Sequence, residues 1–449
     1  MIAPNFRFVD LFAGVGGFHA VGVALDGSCV LASEIDPSAA LVYSTNWRTI
    51  PSPDVRALAA QSDQVPDHEV LFAGFPCQPF SKSGKQEGER EDRGNLFYSI
   101  IEIVRAKKPA LIMLENVRNL AGPKHHETLR RITELLEDSG YRLDHTPVII
   151  SPHELHPING GRPQVRERVY ILAVRADLLN ELDLRFDRSD VLDQVSTWDK
   201  HSWDFEEHVA QKVEHPTHEN LTYDESRALE MWEDFLTTIR SLGKVKISGF
   251  PIWSRYFTTH PLLEEQDFPA WKASFVRKNR ALYLENKAAL DAWKERWARD
   301  MTKLPPSKLK FEWQAQDLKS VWLGTIQFRP SGLRVKKASY LPALVAISQT
   351  SILGRQRRRI SLAEVADLQG FPSSFSFGDQ NDALGFKQMG NAVNIGTVYQ
   401  VLRAFANVIG PHLKDAPEAT FIRRIAESPV EFEPRTLPIS GQADSSSAQ

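Results

Sequence analysis

The chain has almost no cysteine: Cys29 and Cys77 are the only two in 449 residues. Two thiols cannot build a disulfide framework, and such scarcity suits a reducing compartment. Long apolar runs are missing too, since none approaches the roughly 20 residues that cross a bilayer. The opening residues, Met1-Ile2-Ala3-Pro4-Asn5-Phe6-Arg7, lack the charged, apolar and small-residue regions of a signal peptide. A cytoplasmic protein with no membrane partner is expected. The net charge is only −3, so the chain as a whole carries no signal for a nucleic-acid partner. Metal-ligand clusters are the last absence. His153-Glu154-Leu155-His156 has H-x-x-H spacing and His125-His126 form a pair, but neither has thiol or carboxylate companions at ligand spacing. Both read as surface histidines, and no metal is expected.

What is present is ordered along the chain. The length suggests two or three domains. From residue 7 to about 175, short β-like runs alternate with amphipathic stretches. The predicted strands are Arg7–Phe12, Cys29–Glu34, Glu69–Ala73, Ala110–Glu115 and Val169–Val174. The predicted helices include Asn95–Lys107 and His126–Ser139, the second stopped by Gly140. This alternation predicts an α/β, doubly wound sheet with ligands at the carboxyl ends of its strands. Composition then shifts: nine of the ten tryptophans lie between Trp198 and Trp322, among long charged stretches of helical pattern. That segment reads as a separate, partly helical domain whose tryptophans mostly pack a core. From about 340 the α/β style returns, and Asn394–Ile409 predicts a final amphipathic helix. The expected boundaries are 1–185 and 341–412 for one domain, 186–340 for the insert, and 413–449 for a tail, partly disordered.

Charge is clustered locally. Arg329, Arg334, Lys336, Lys337, Arg355, Arg357, Arg358 and Arg359 lie in one stretch without an intervening acid. Such a stretch can bind phosphates by counterion release, with Arg355 and Arg357 as candidate DNA contacts. A solvated basic face reads equally well from this stretch alone.

Five blocks carry chemistry. Phe8-Val9-Asp10-Leu11-Phe12-Ala13-Gly14-Val15-Gly16-Gly17-Phe18 is a strand entering a glycine turn, where Gly14 and Gly16 let a ligand approach the backbone or simply allow tight strand–helix packing. Glu34 follows at the end of the next strand, where an acid accepts hydrogen bonds from ribose hydroxyls. His19 occupies the place of the third glycine of the dinucleotide fingerprint, so a nucleoside cofactor without pyrophosphate is expected. Gly74-Phe75-Pro76-Cys77-Gln78-Pro79-Phe80-Ser81 holds a cysteine between two prolines that stiffen its backbone. Leu111-Ile112-Met113-Leu114-Glu115-Asn116-Val117 ends an apolar strand in a lone carboxylate, whose burial would raise its pKa and suit proton transfer; a helix-capping carboxylate is the other reading. In Gly161-Arg162-Pro163-Gln164-Val165-Arg166-Glu167-Arg168, two arginines in i, i+2 register point the same way, toward a ligand or into a surface ion-pair network with Glu167. Lys387-Gln388-Met389-Gly390-Asn391-Ala392-Val393 reads as the start of the final helix, with free backbone N–H groups for a ligand.

In content and in order these blocks resemble the DNA (cytosine-5) methyltransferase family of prokaryotic restriction–modification type. The resemblance covers roughly residues 7–175 and 340–409. It implies a Rossmann-like, S-adenosylmethionine-dependent catalytic domain with an inserted target-recognition domain. It also implies roles. Cys77 would be the nucleophile that adds at cytosine C6, Glu115 the partner of N3, and Arg166 and Arg168 the supports of a flipped base. Phe12, Glu34, Asp54, Pro76, Leu96, Asn391 and Val393 would line the cofactor pocket, and Gln78 and Ser81 would touch the target strand. Double-stranded DNA is the implied substrate, a cognate restriction endonuclease the implied partner, and a monomer the expected state. The turn from Asn159 to Pro163 is bulkier and more charged than the family's usual one, and Ala392 replaces a common serine. A tRNA cytosine-5 methyltransferase and a catalytically silent DNA-binding relative stay open as alternatives.

Overall fold

Most apolar runs of the first 175 residues are buried at nearly every position, as strands covered on both faces are. They form β1 (Phe6–Leu11), β2 (Gly27–Ser33), β3 (Val70–Gly74), β4 (Leu111–Val117), β5 (Tyr141–Leu143), β6 (Val148–Ile150) and β7 (Arg168–Arg175). The computed structural model describes residues 4–76, 96–181, 186–212, 221–243, 249–342 and 350–439. In it these strands make one mixed sheet of order β2-β1-β3-β4-β7-β5, with β6 also paired to β7. The first four run parallel, and β7 returns antiparallel beside β4.

Helices cover both faces. Val9 and Leu11 of β1 share a core with α3 (Val55–Ala60), α4 (Leu96–Lys107) and α5 (His126–Asp138). The alternate residue Phe8 turns to the other face, edge-on to Phe72 and to His19 of α1 (Gly17–Ala24). Asp36 starts α2 (Pro37–Trp47) by accepting from the N–H groups of Ser38 and Ala39, with Pro37 at the first helical position where its missing N–H costs nothing. The short α6 (Arg188–Asp193) completes this part.

Contacts divide the chain into two units, the first running to Trp203 and resuming at Val365, with a short piece at 342–346. The first seam therefore falls beyond the composition shift near 185. Trp203 donates from its indole to the His153 carbonyl at 2.9 Å, and Trp198 lies edge-on to His156, which draws 186–203 onto the first unit.

The second unit (Asp204–Leu341 and Ile347–Glu364) has its own core. It contains α7 (Phe205–Lys212), α8 (Tyr223–Ser241), α9 (Ala270–Glu285) and α10 (Lys287–Lys303). Its six-stranded sheet has order β13-β12-β10-β11-β9-β8, built from β8 (Ile252–Trp253), β9 (Lys310–Gln314), β10 (Gly324–Arg329), β11 (Gly332–Lys337), β12 (Ile352–Leu353) and β13 (Arg358–Arg359). Several of the tryptophans pack: Trp232 stacks on Phe311 at 4.8 Å, and Trp293 donates to the Met231 carbonyl, while Trp271 is exposed.

Back in the first unit, α11 (Leu362–Leu368) straddles the seam and is followed by α12 (Asp382–Asn391), α13 (Ile395–Ile409) and α14 (Pro417–Glu427). Asn394 caps α13 by accepting from the Thr397 N–H. The stretch read as a tail is ordered at least to residue 439 and carries α14, whose Phe421 meets Phe6 at 5.5 Å.

Candidate active site

The glycine turn leaves β1 in a left-handed conformation, with Phe12 at φ 57° and Gly14 at φ 56°. This aims the Gly14 N–H at Glu34 Oε2 (2.8 Å), while the Asp36 N–H reaches Oε1 (2.7 Å). Glu34 is thereby fixed just past β2, and each of its oxygens keeps a lone pair for a ligand. A Cβ on Gly14 would meet nothing within 4 Å, whereas one on Gly16 would fall 2.0 Å from the Trp47 indole nitrogen. Gly14 faces open space, whereas Gly16 leaves room for Trp47 over the turn. Behind them Asp10 is fully buried. Burial first, and then the charge of Glu34, push its carboxyl well above the usual carboxylate range.

A cavity of about 370 Å³ opens at these strand ends. Its walls come from Phe12, Gly14 and Glu34, from Pro76 beyond β3, and from Glu115, Arg166, Arg168 and Asn391. Eight residues singled out in the sequence thus meet in one place. Gly16, Asp54, Leu96 and Val393 do not line it. Asp54 instead caps α3 and pairs with Arg56, Leu96 packs against the core, and Val393 sits where a Cβ on Gly17 would be. Cys77, Gln78 and Ser81 lie outside the described residues.

Glu115 is the buried acid of this cavity. Parallel register sets it beside Gly74, three residues before Cys77. The antiparallel return of β7 brings the Arg168 Nε within 2.9 Å of its Oε1. Burial raises the Glu115 pKa; Arg168 and then Arg166 pull it back, and the balance stays above the ordinary value. The capping role is not taken up, for the turn after β4 starts at Val117 with no side-chain cap. Asn116, which its place beside Glu115 did not distinguish in the sequence, donates to the Phe75 carbonyl at 2.9 Å and ties the two strand ends together.

Arg166 is buried, and its Nη2 donates to the carbonyls of Gly390 (3.0 Å) and Ala392 (2.5 Å). Its Nε and Nη1 are buried without a partner among the described residues. Burial pulls its pKa down to about 9, which still leaves a cation at neutral pH. Glu167, the competing partner in the sequence, pairs with Arg118 instead.

Two expectations need correction. Residues 387–391 do not begin the final helix; they are the last turn of α12, so the segment presents carbonyl oxygens, here to Arg166, rather than free N–H groups. His153 is no surface histidine. It is buried, with Nδ1 2.9 Å from Ser151 Oγ, and burial pulls its pKa down to about 4. Asp36 and Lys387 also line the cavity and were missed; the Asp36-Pro37 helix start was the only local sign of the first.

The model of the family described as C-5 cytosine-specific DNA methylase matches residues 6–407. The chain belongs to this family. The methylase is similar to the Type II methyltransferase M.AluI of Cellulosimicrobium cellulans, with 36% identity over 93% of this chain and 97% of that protein. M.BanI of Aneurinibacillus aneurinilyticus is 27% identical over 89% and 95%, respectively. Identity to M.MspI of Moraxella sp reaches 42%, but over 38% of this methylase and 39% of that one. The family match ends at residue 407, whereas the ordered first unit of the methylase continues to residue 439.

In the second unit of the methylase, most of the basic stretch is neutralised from a distance. Arg334 pairs with Glu312, Lys337 with Asp317, Arg355 with Asp204, Arg358 with Glu364, and Arg359 with Glu225. Arg357 differs. It is exposed at the β12–β13 turn, at φ 54°, with its guanidinium 4.6 Å above the Trp322 ring.

Proposed function

We propose that the methylase modifies C5 of a cytosine rotated out of double-stranded DNA, using S-adenosylmethionine, as the modification enzyme of a Type II restriction–modification system. It would act as a monomer beside a cognate endonuclease. The observation that carries this reading is the meeting of Glu34 and Glu115 on one cavity, an acid for a nucleoside and an acid for a base.

The cavity's residues suit the cofactor. Its volume lies within the range of small-molecule sites, roughly 300–1,000 Å³. Glu34 retains acceptor capacity for ribose hydroxyls, Phe12 offers an aromatic wall, and the open side of Gly14 admits a close approach. Bound there, S-adenosylmethionine would supply an electrophilic methyl group.

The remaining work falls to the chain. Cytosine C5 is a poor nucleophile until a thiolate adds at C6, and Cys77 is the residue for that bond. Glu115, its pKa raised, shares a proton with N3 as electron density moves into the ring. Arg168 holds Glu115, and the two Arg166 donors without a partner among the described residues suit an oxygen of the base or its phosphate. Loss of the C5 proton and departure of the thiolate then restore the aromatic ring. The second unit would serve as the target-recognition domain, with Arg357 among its DNA contacts.

Base-resolution 5-methylcytosine sequencing of a methylation-free bacterial host expressing the chain tests the whole reading. Methylation confined to one short context is expected. Soluble protein that leaves the DNA unmethylated would overturn it.

A further inference from the structure

Arg162 is the residue that makes the turn before Gln164 unusually charged, and no catalytic role has absorbed it. Its guanidinium is 1% exposed. A buried arginine cannot shed its charge and needs partners on every side. Nη2 lies 2.5 Å from Glu433, Nε donates to the Asp367 carbonyl at 3.2 Å, and Nη1 donates to the Gly161 carbonyl. The Asp367 carboxylate stands 3.8 Å from Arg162 and 3.5 Å from Arg435. Two of these four charged groups, Glu433 and Arg435, belong to the segment beyond the family match.

That segment is stitched down along its length. The Phe432 ring stacks on Tyr399 of α13 at 3.9 Å, and its N–H donates to the Ile158 carbonyl. Gln400 bridges the carbonyls of Asn159 and Val430, and the Ser373 N–H donates to the Arg435 carbonyl.

Both structures gripped by this segment lead to Arg166. On one side, the turn at 152–164 runs directly into Arg166, whose N–H donates to Ser151 Oγ at 2.7 Å. On the other, the end of α11 carries Gln369 and Leu368. Gln369 holds the Met389 carbonyl, and Asn394 donates to the Leu368 carbonyl. These bonds fix the 389–394 turn, whose carbonyls at Gly390 and Ala392 grip the Arg166 guanidinium.

We propose that residues 429–437 form a strap, locked by the Arg162–Glu433 pair, that positions Arg166 for methyl transfer. Arg162 and Glu433 are positioning residues. The proposal rests on the reading of Arg166 as a support of the target base.

Steady-state methylation of unmethylated plasmid DNA with tritiated S-adenosylmethionine tests it in the full chain. E433Q should lower kcat about tenfold and leave the cofactor KM within about twofold. In an R166K background the same change should cost nothing further, because the strap acts only through Arg166. Since an uncompensated Arg162 can destabilise the unit, R162M/E433Q, which removes both charges, is measured beside it at matched Tm. It should show the same loss in kcat. A full tenfold loss on top of R166K, or undiminished kcat in R162M/E433Q, would overturn the strap. R166K turning over at the full rate would overturn instead the reading of Arg166 beneath it.

Discussion

The carboxylate of Glu115 and the guanidinium of Arg168 meet at 2.9 Å across two antiparallel strands, inside the cavity that also holds Glu34. The pair opposes two effects. Burial favours the neutral acid, and the adjacent cation favours the carboxylate.

Removing the cation should therefore move the Glu115 pKa upward. If Glu115 acts in its protonated form, activity falls as pH rises through that pKa, and the alkaline limb of Arg168→Met should lie at higher pH than that of the parent. The kcat/KM profile across pH measures this. A limb shifted to lower pH, or unmoved, would disconnect Arg168 from the proton on Glu115.

Cys77 and Glu115 should separate by readout. Cys77→Ala should abolish turnover and leave DNA affinity largely intact, because it removes the atom that bonds C6. Glu115→Gln should slow single-turnover chemistry by about 10²–10⁴-fold, the usual worth of a positioned acid or base, with little change in cofactor affinity. Cofactor affinity lost at an unchanged chemical rate would place Glu115 in the wrong part of the cavity.

The two glycines of the first turn should behave differently. Gly14→Ala adds a methyl where nothing lies within 4 Å, so only its positive φ is penalised, at about 1–2 kcal/mol. Gly16→Ala adds overlap with the Trp47 indole and should lose about 1–3 kcal/mol more. Denaturant unfolding compares them. Equal losses would mean that Trp47 can move aside at no cost.

Arg357→Ala should weaken DNA binding and reduce the slope of log K against log salt by about 1, as expected for one lost phosphate contact. Arg355 already faces Asp204, so Arg355→Ala should change that slope less. Titrations at several salt concentrations decide. A slope unchanged in Arg357→Ala would remove it from the phosphate contacts.

Much of the first unit was legible in the sequence. The apolar runs ending in Glu34 and Glu115 predicted strands with chemistry at their carboxyl ends, and the strands formed within a residue or two of those positions. The 387–393 block misled because it runs from the last turn of α12 into the short link before α13, and a local pattern does not show which helix owns it.

Residue order alone was enough for the alternation of strand and helix, the glycine turn and the acids at strand ends. Each follows from backbone preferences and side-chain periods acting over a few neighbours. Tertiary structure alone decided how charges are shared out. Arg166 finds its carbonyls 224 and 226 residues away, Arg355 its carboxylate 151 residues away, and Arg162 its glutamate 271 residues away. A buried guanidinium such as that of Arg166 or Arg162 requires a partner but does not specify one. The choice falls to whichever oxygen the packed fold delivers within reach.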